Sequence, residues 1–385
     1  MLMNISKNCK WFVVFAFVAL ATPQNNALAQ PWQWIKKEVY RVLADTASKE
    51  KPRFIAYPTI AYTPETSWEF GISALLLYHA KRDTTNRLSE ISAFTFVTLE
   101  NQFGLWVDNA LYSHRNRWFL LGRTRWQQFP LYFYGIGPET NATDKILING
   151  NSLTMRQRLL RQVKGQFYIG LETDLQRLGS VSVTPEPGAV GLNSPLGIAG
   201  STNLGLGIGM VYDTRHNILN VRDGLFAELG FLRYDDTWGS DFNFTTFFVE
   251  SRVFRPIRKN QVFAAQLYGV FSQGDVPFNQ LALMGGETLM RGYYTGRYRD
   301  RNYIGTQVEY RWLPLPFSRR FGATVFGGLG NVAPKIQDFS LKNFVWAAGV
   351  GGRFLIFPKK DVFTRIDIGF TEEGSGFYFY VGEAF

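Results

Sequence analysis

From Phe54 onward the chain alternates apolar and polar side chains with a period of two, the mark of strands with two unlike faces. Tyr303–Trp312 is the clearest case. Ile304, Thr306, Val308, Tyr310 and Trp312 share one face, and Gly305, Gln307, Glu309 and Arg311 share the other. Val362, Thr364, Ile366, Ile368 and Phe370 oppose Phe363, Arg365 and Asp367 in the same way. Phe103, Leu105, Val107 and Leu111 oppose Gln102, Gly104, Trp106 and Asp108. Such runs predict about sixteen strands, at 54–63, 68–79, 90–100, 102–112, 117–128, 150–161, 165–177, 203–213, 223–233, 243–255, 261–272, 302–312, 320–330, 344–355, 362–370 and 376–385. Lengths near ten residues suit strands tilted across a bilayer. An even count puts both ends of the chain on one side, expected to be periplasmic. The long connections 129–149, 178–202 and 273–301 then lie on the other side, and Ala80–Ser89 is an unusually long turn for the chain-end side.

The N-terminal part reads differently. Lys7 and Lys10 precede an apolar run, Trp11–Thr22, then Pro23 and the small-residue motif Ala27-Leu28-Ala29. That order is expected of a cleaved secretory signal at 1–29. The run is too short for a spanning helix, which needs about 20 residues. In the lead at 30–53, Ile35, Val39, Val42 and Leu43 share one helical face. The lead is either a periplasmic amphipathic helix, resting on the membrane interface or plugging the barrel mouth, or a linker.

Composition separates two all-β readings. The chain has 34 Phe, 18 Tyr and 10 Trp, 16% aromatic in all. A soluble sandwich or propeller would have to show these rings outward on strand after strand, in patches soluble proteins do not tolerate. An all-β transmembrane antiparallel β-barrel at 54–385 turns the apolar face to lipid and keeps the charged face inward, with aromatic girdles at the interfaces. The formal charge of +10 fits contact with anionic lipid or a charged lumen in an exported protein better than nucleic acid. Arg123, Arg125, Arg353 and Arg365 are expected to line that lumen. The lone cysteine, Cys9, falls within the signal, so the mature chain has no disulfide or thiol ligand.

Three stretches carry more than architecture. Tyr212–Gly224 reads YDTRHNILNVRDG, in which Asp213, Thr214 and Asn217 are residues that cap a tight turn and Gly224 relaxes its end. Met284–Gln307 is a Gly- and Arg-rich loop carrying Arg291-Gly292-Tyr293, followed by the inward Glu309. Phe379–Phe385 reads FYVGEAF and ends on an aromatic. Together they resemble the BamA/TamA superfamily, also called the bacterial surface antigen family, outer-membrane barrels that insert or export proteins. Asp213, Thr214, Arg215, Asn217 and Gly224 match its D-T-R-x-N turn. Arg291, Gly292 and Tyr293 match the R-G-[FY] tip of its sixth outer loop, and Glu309 the glutamate that faces the tip. Phe379, Gly382 and Phe385 match its closing strand, the signal read by barrel-assembly machinery.

The resemblance implies that the sixth loop folds into the lumen and that Arg291 pairs with Glu309. The family's F-x-D-x-G strand is here Phe326-Gly-Gly-Leu-Gly330, so Gly328 replaces an aspartate and Arg291 lacks one expected partner. Family members handling unfolded proteins carry periplasmic POTRA repeats, and none fits in Gln30–Arg53. The expected function is insertion or translocation of proteins at the bacterial outer membrane, with a passive pore or export channel for a separate partner, or a structural barrel, as alternatives. Expected partners are outer-membrane lipids, the assembly machinery and a client or partner protein; no nucleic acid is expected. His79, His114 and His216 form no zinc-type pair, and no P-loop or dinucleotide fingerprint occurs. Neither an enzyme nor a cofactor is expected.

Overall fold

The computed structural model describes residues 52–63, 67–99, 102–128, 130–185, 194–215, 220–358 and 361–385. The expected signal and almost all of the lead lie outside the described residues. The chain forms β1 (Arg53–Thr63), β2 (Ser67–His79), β3 (Leu88–Thr98), β4 (Phe103–Tyr112), β5 (Trp118–Gln128), β6 (Leu131–Phe133), β7 (Ile146–Lys164), β8 (Phe167–Pro185), β9 (Ser201–Asp213) and β10 (Gly224–Tyr234). It continues with β11 (Phe244–Arg258), β12 (Gln261–Gly274), β13 (Ala282–Met284), β14 (Tyr298–Asp300), β15 (Asn302–Trp312), β16 (Phe321–Ala333), β17 (Val345–Phe357), β18 (Val362–Thr371) and β19 (Gly374–Val381).

Seventeen strands form one antiparallel sheet, and β13 and β14 pair separately. Each long strand pairs with the next long strand along the chain, from β1–β2 to β18–β19. Each expected strand corresponds to one long strand, but β7 and β8 run nineteen residues and the short β6, β13 and β14 were not expected. The last strand is a correction. It ends at Val381 rather than Phe385, because Gly382 takes a left-handed φ of 94° and its N–H turns to the Phe363 carbonyl at 2.7 Å.

The burial pattern is inverted relative to a soluble sheet. In β15, Gln307, Glu309 and Arg311 are buried and Val308 is exposed. In β18, Arg365 and Asp367 are buried while Ile366, Ile368 and Phe370 are exposed. Phe70, Ile72, Leu171, Phe231 and Val350 extend the exposed apolar face along the sheet. Lipid is the solvent for such a surface, and the charged face survives burial only where its charges are paired.

Candidate functional site

The connection between β12 and β15, residues 275–301, packs on the buried face of the last strands. Met284, Leu289, Met290, Tyr293 and Tyr298 form one apolar cluster with Tyr303 and Val332. At its tip, the Arg291 side chain is fully buried. It donates one N–H to Glu309 and another to Asp367 Oδ2 at 2.6 Å, with its guanidinium 3.6 Å from the centre of the Phe326 ring. Gly292, with φ of 117°, donates its backbone N–H to Tyr378 Oη at 2.9 Å. Tyr293 is buried edge-on to Tyr298. The structure thus brings together Arg291, Gly292, Tyr293 and Glu309.

Asp367 corrects the expectation that Arg291 lacks a second partner. The carboxylate absent at Gly328 is supplied two strands away, on β18. Gly328 itself is filled space: a Cβ there would lie 2.8 Å from the Thr306 carbonyl and 3.5 Å from Met290 Sδ. The neighbouring strand takes most of that room, with Gln307 Cβ at 3.1 Å, and the loop's Met290 closes it over.

Around this pair the sheet builds a charge network. Arg311 Nε donates to Glu309 at 2.6 Å. Arg353 and Arg365 donate to Asp367 at 2.5 and 2.8 Å, and Arg353 also reaches Glu383 at 2.9 Å. Arg365 and Gln307 hold the loop backbone at the carbonyls of Glu287 and Thr288. Arg353 and Arg365 are therefore dry and paired, which corrects their expected place on a wet lumen wall. Arg297 adds a bidentate clamp on Glu373, in the β18–β19 turn. Alternation exposed the facing of Arg365 and Asp367 in the sequence; their meeting with Arg291 was not visible there.

The second motif orders the β9–β10 turn. Asp213 accepts the Arg215 backbone N–H at 3.0 Å and its guanidinium at 3.0 and 3.1 Å. Thr214 closes the turn on both polar groups of Leu225. Gly224, φ 123°, sits where a Cβ would lie 3.1 Å from the Arg215 backbone. Asn217 lies outside the described residues. The turn also reaches outward. Arg87, from the long β2–β3 connection, donates to the Asp213 carbonyl at 2.5 Å, and Arg222 clamps Asp361 at 2.6 and 2.8 Å. The β2–β3 and β17–β18 connections are thereby both tied to this turn.

The third motif is split by the turn at Gly382. Phe379 is exposed on β19, whereas Phe385 is buried with Val221, Phe254, Val262 and Ala264. Arg311 lies 4.8 Å from its ring and donates to its carbonyl at 3.2 Å. The terminal ring is thus an interior group and not the lipid-facing end of a strand.

Comparison with known proteins agrees with this geometry. The Omp85 superfamily domain matches residues 150–385. No curated protein matches the chain. Among solved structures the chain is similar to BamA from Haemophilus ducreyi lacking POTRA domains 1–3, at 13% identity and TM-score 0.51, over 86% of this chain and 69% of that one. It is similar to CdiB from Acinetobacter baumannii at 10% identity and TM-score 0.54, over 86% and 59%, and to CdiB from Escherichia coli at 12% and 0.53, over 86% and 62%. The chain spans less than two thirds of the length of either CdiB. These likenesses carry the fold, and the domain match, which covers well over half of the chain and includes both the loop tip and its carboxylate partners, carries the family: the chain belongs to the Omp85 superfamily and is an integral protein of the bacterial outer membrane.

Proposed function

We propose that this barrel inserts proteins into, or translocates them across, the outer membrane, through a seam between β1 and β19. The observation that supports this reading most is the buried Arg291, held by Glu309 and Asp367. It ties the loop to the strands leading up to the seam and leaves the seam as the movable element. β19 has eight residues against eleven in β1, so a ladder between them is short. An open edge there would template a client strand by β-augmentation. The chain ends lie on the periplasmic side in this reading.

Cysteine pairs scanned across β1 and β19 test it, with the protein in phosphatidylcholine vesicles and an unfolded outer-membrane barrel as client. Oxidation should stop insertion, measured by protease protection, and reduction should restore it. Equal insertion in both states would overturn the proposal.

A passive pore is the second reading, favoured by a wet stretch on the inward face of β4 and β5. The Arg123 side chain there is 71% exposed and that of Asp108 46%. With Arg353 and Arg365 withdrawn into pairs, any anion preference rests on Arg123 and Arg125, next to Asp108. Conductance that survives oxidation of the seam would favour this reading.

A further inference from the structure

The two ends of the sheet carry opposite charge. Antiparallel order alternates the connections between the ends. At the end holding the chain termini, Lys81 and Arg82 lie between β2 and β3, and Arg115 and Arg117 between β4 and β5. Arg258 and Lys259 lie at the β11–β12 turn, and Arg319 and Arg320 between β15 and β16. All of these are exposed, and among the described residues none pairs with a carboxylate. The opposite end is acidic in the connection with Asp235, Asp236 and Asp241 and in that with Glu372 and Glu373. Cations occur there too, among them Lys335 and Lys342 between β16 and β17, Lys145 before β7 and Arg301 before β15.

A second observation says what the cations face. At the same end, bulky apolar side chains stand exposed directly beside them. Trp118 is 45% exposed after Arg117, Val163 62% beside Lys164, Ile257 53% beside Arg258, and Phe317 85% two residues before Arg319. Arg161 lies 5.8 Å from the Trp118 ring. Each group places an apolar side chain at the margin of the lipid-facing strands and a long cationic stem just beyond it. Such side chains extend their charge to the headgroup layer while the stem stays in apolar surroundings. The pairs recur along the sheet at four connections on this side, β4–β5, β7–β8, β11–β12 and β15–β16, at the ends of lipid-facing strands. That spacing follows a bilayer edge and does not gather into one contiguous patch for a protein.

We propose that this rim binds anionic phospholipid headgroups, of the phosphatidylglycerol kind, in the leaflet on the side of the chain termini. Unpaired cations at this density repel one another, and a net anionic headgroup removes that repulsion where a zwitterionic one retains its own ammonium. The inference rests on the outer-membrane placement and is independent of whether the barrel is an insertase or a pore.

The test places the full chain in phosphatidylcholine vesicles containing spin-labelled phosphatidylglycerol or spin-labelled phosphatidylcholine. The motionally restricted fraction in the electron spin resonance spectrum gives the relative association. A Lys or Arg engaged at an anionic surface is worth roughly fivefold. The native chain should prefer phosphatidylglycerol several-fold, and the preference should fall with salt. Combining Arg115→Gln, Arg117→Gln, Arg319→Gln and Arg320→Gln should remove most of it. Lys335→Gln with Lys342→Gln, at the opposite end, should leave it intact. If the fourfold variant folds poorly, Arg319→Gln with Arg320→Gln carries the test, because that turn is held through the Arg320 backbone and Ser318. No preference in the native chain, equal preference in the rim variants, or an equal loss at the opposite end would overturn the proposal. Both leaflets carry the label, so an error in the assigned orientation leaves the result readable.

Discussion

Two stretches of the inward face, β15–β18 and β4–β5, solve the same problem differently. Over β15–β18, the loop's Arg291 and the strands' Arg311, Arg353 and Arg365 are shut away with Glu309, Asp367 and the tail's Glu383 under a loop that excludes water. In β4–β5, Arg123 and Arg125 share Asp108, and the side chains of Arg123 and Asp108 stay largely wet. Buried charges couple strongly and fix one arrangement, while hydrated ones are screened and contribute little. The β15–β18 face is therefore a rigid frame and the β4–β5 face a compliant wall. A barrel that opens between β1 and β19 would hinge on this asymmetry.

The comparison is broken most directly at Asp367, which serves three arginines. Asp367→Ala should destabilise the folded barrel by about 3–5 kcal/mol, because it leaves charges buried without partners. Arg291→Ala should cost less, about 1–3 kcal/mol. Glu309 then keeps Arg311, and Asp367 keeps Arg353 and Arg365. Adding Glu309→Ala to Arg291→Ala should cost less than the sum of the single losses. Urea midpoints of the heat-modifiable form read all of these. Additive losses, or a mild Asp367→Ala, would show that the network does not act as a unit.

Next in size is the tail. Phe385→Ala should cost about 3 kcal/mol, as removal of a buried ring does. Phe379→Ala, on the exposed face of β19, should cost under about 1 kcal/mol. The same urea titration separates them, and the reverse order would restore Phe385 to the membrane interface.

Smallest is the wet wall. Arg123→Gln and Asp108→Asn should each change stability by no more than about 0.5 kcal/mol. A loss matching that of Arg291→Ala would erase the difference between the two stretches.

The period-two pattern made the strands legible because lipid on one side and charge on the other impose strict alternation. It placed a strand at 302–312, where Asn302–Trp312 is observed. It also put Glu309 on the inner face, and the resemblance supplied its pairing with Arg291. It could not give the pairing of Arg291 with Asp367, 76 residues away, since alternation tells where a side chain points and not what lies across the interior. Nor could it show that Gly382 turns Phe385 inward. A glycine in an alternating run is silent until its φ is known. The outer ends of β7 and β8 and the short strands of the loops escaped because loop packing replaces the lipid-and-charge contrast there: Phe133 and Ile148 are buried in one apolar cluster, and β14 is buried throughout.

The loop seat has a consequence for the order of assembly. A Cβ on Gly369 would lie 2.3 Å from the Arg291 carbonyl, and one on Gly330 2.7 Å from Met284 Sδ. The wall is recessed where the loop lies, and the loop fills the recess from inside. A loop so fitted, with its arginine already stripped of water, cannot be threaded in after the wall has curled around it. We expect β15–β18 to zip up around a tip already in place, making the loop a mandrel for the last turns of the barrel. Pulsed proteolysis during refolding reads this directly. Cleavage within 275–301 should be lost no later than cleavage at the β15–β16 and β17–β18 turns, and a loop still cut after those turns are protected would reverse the order.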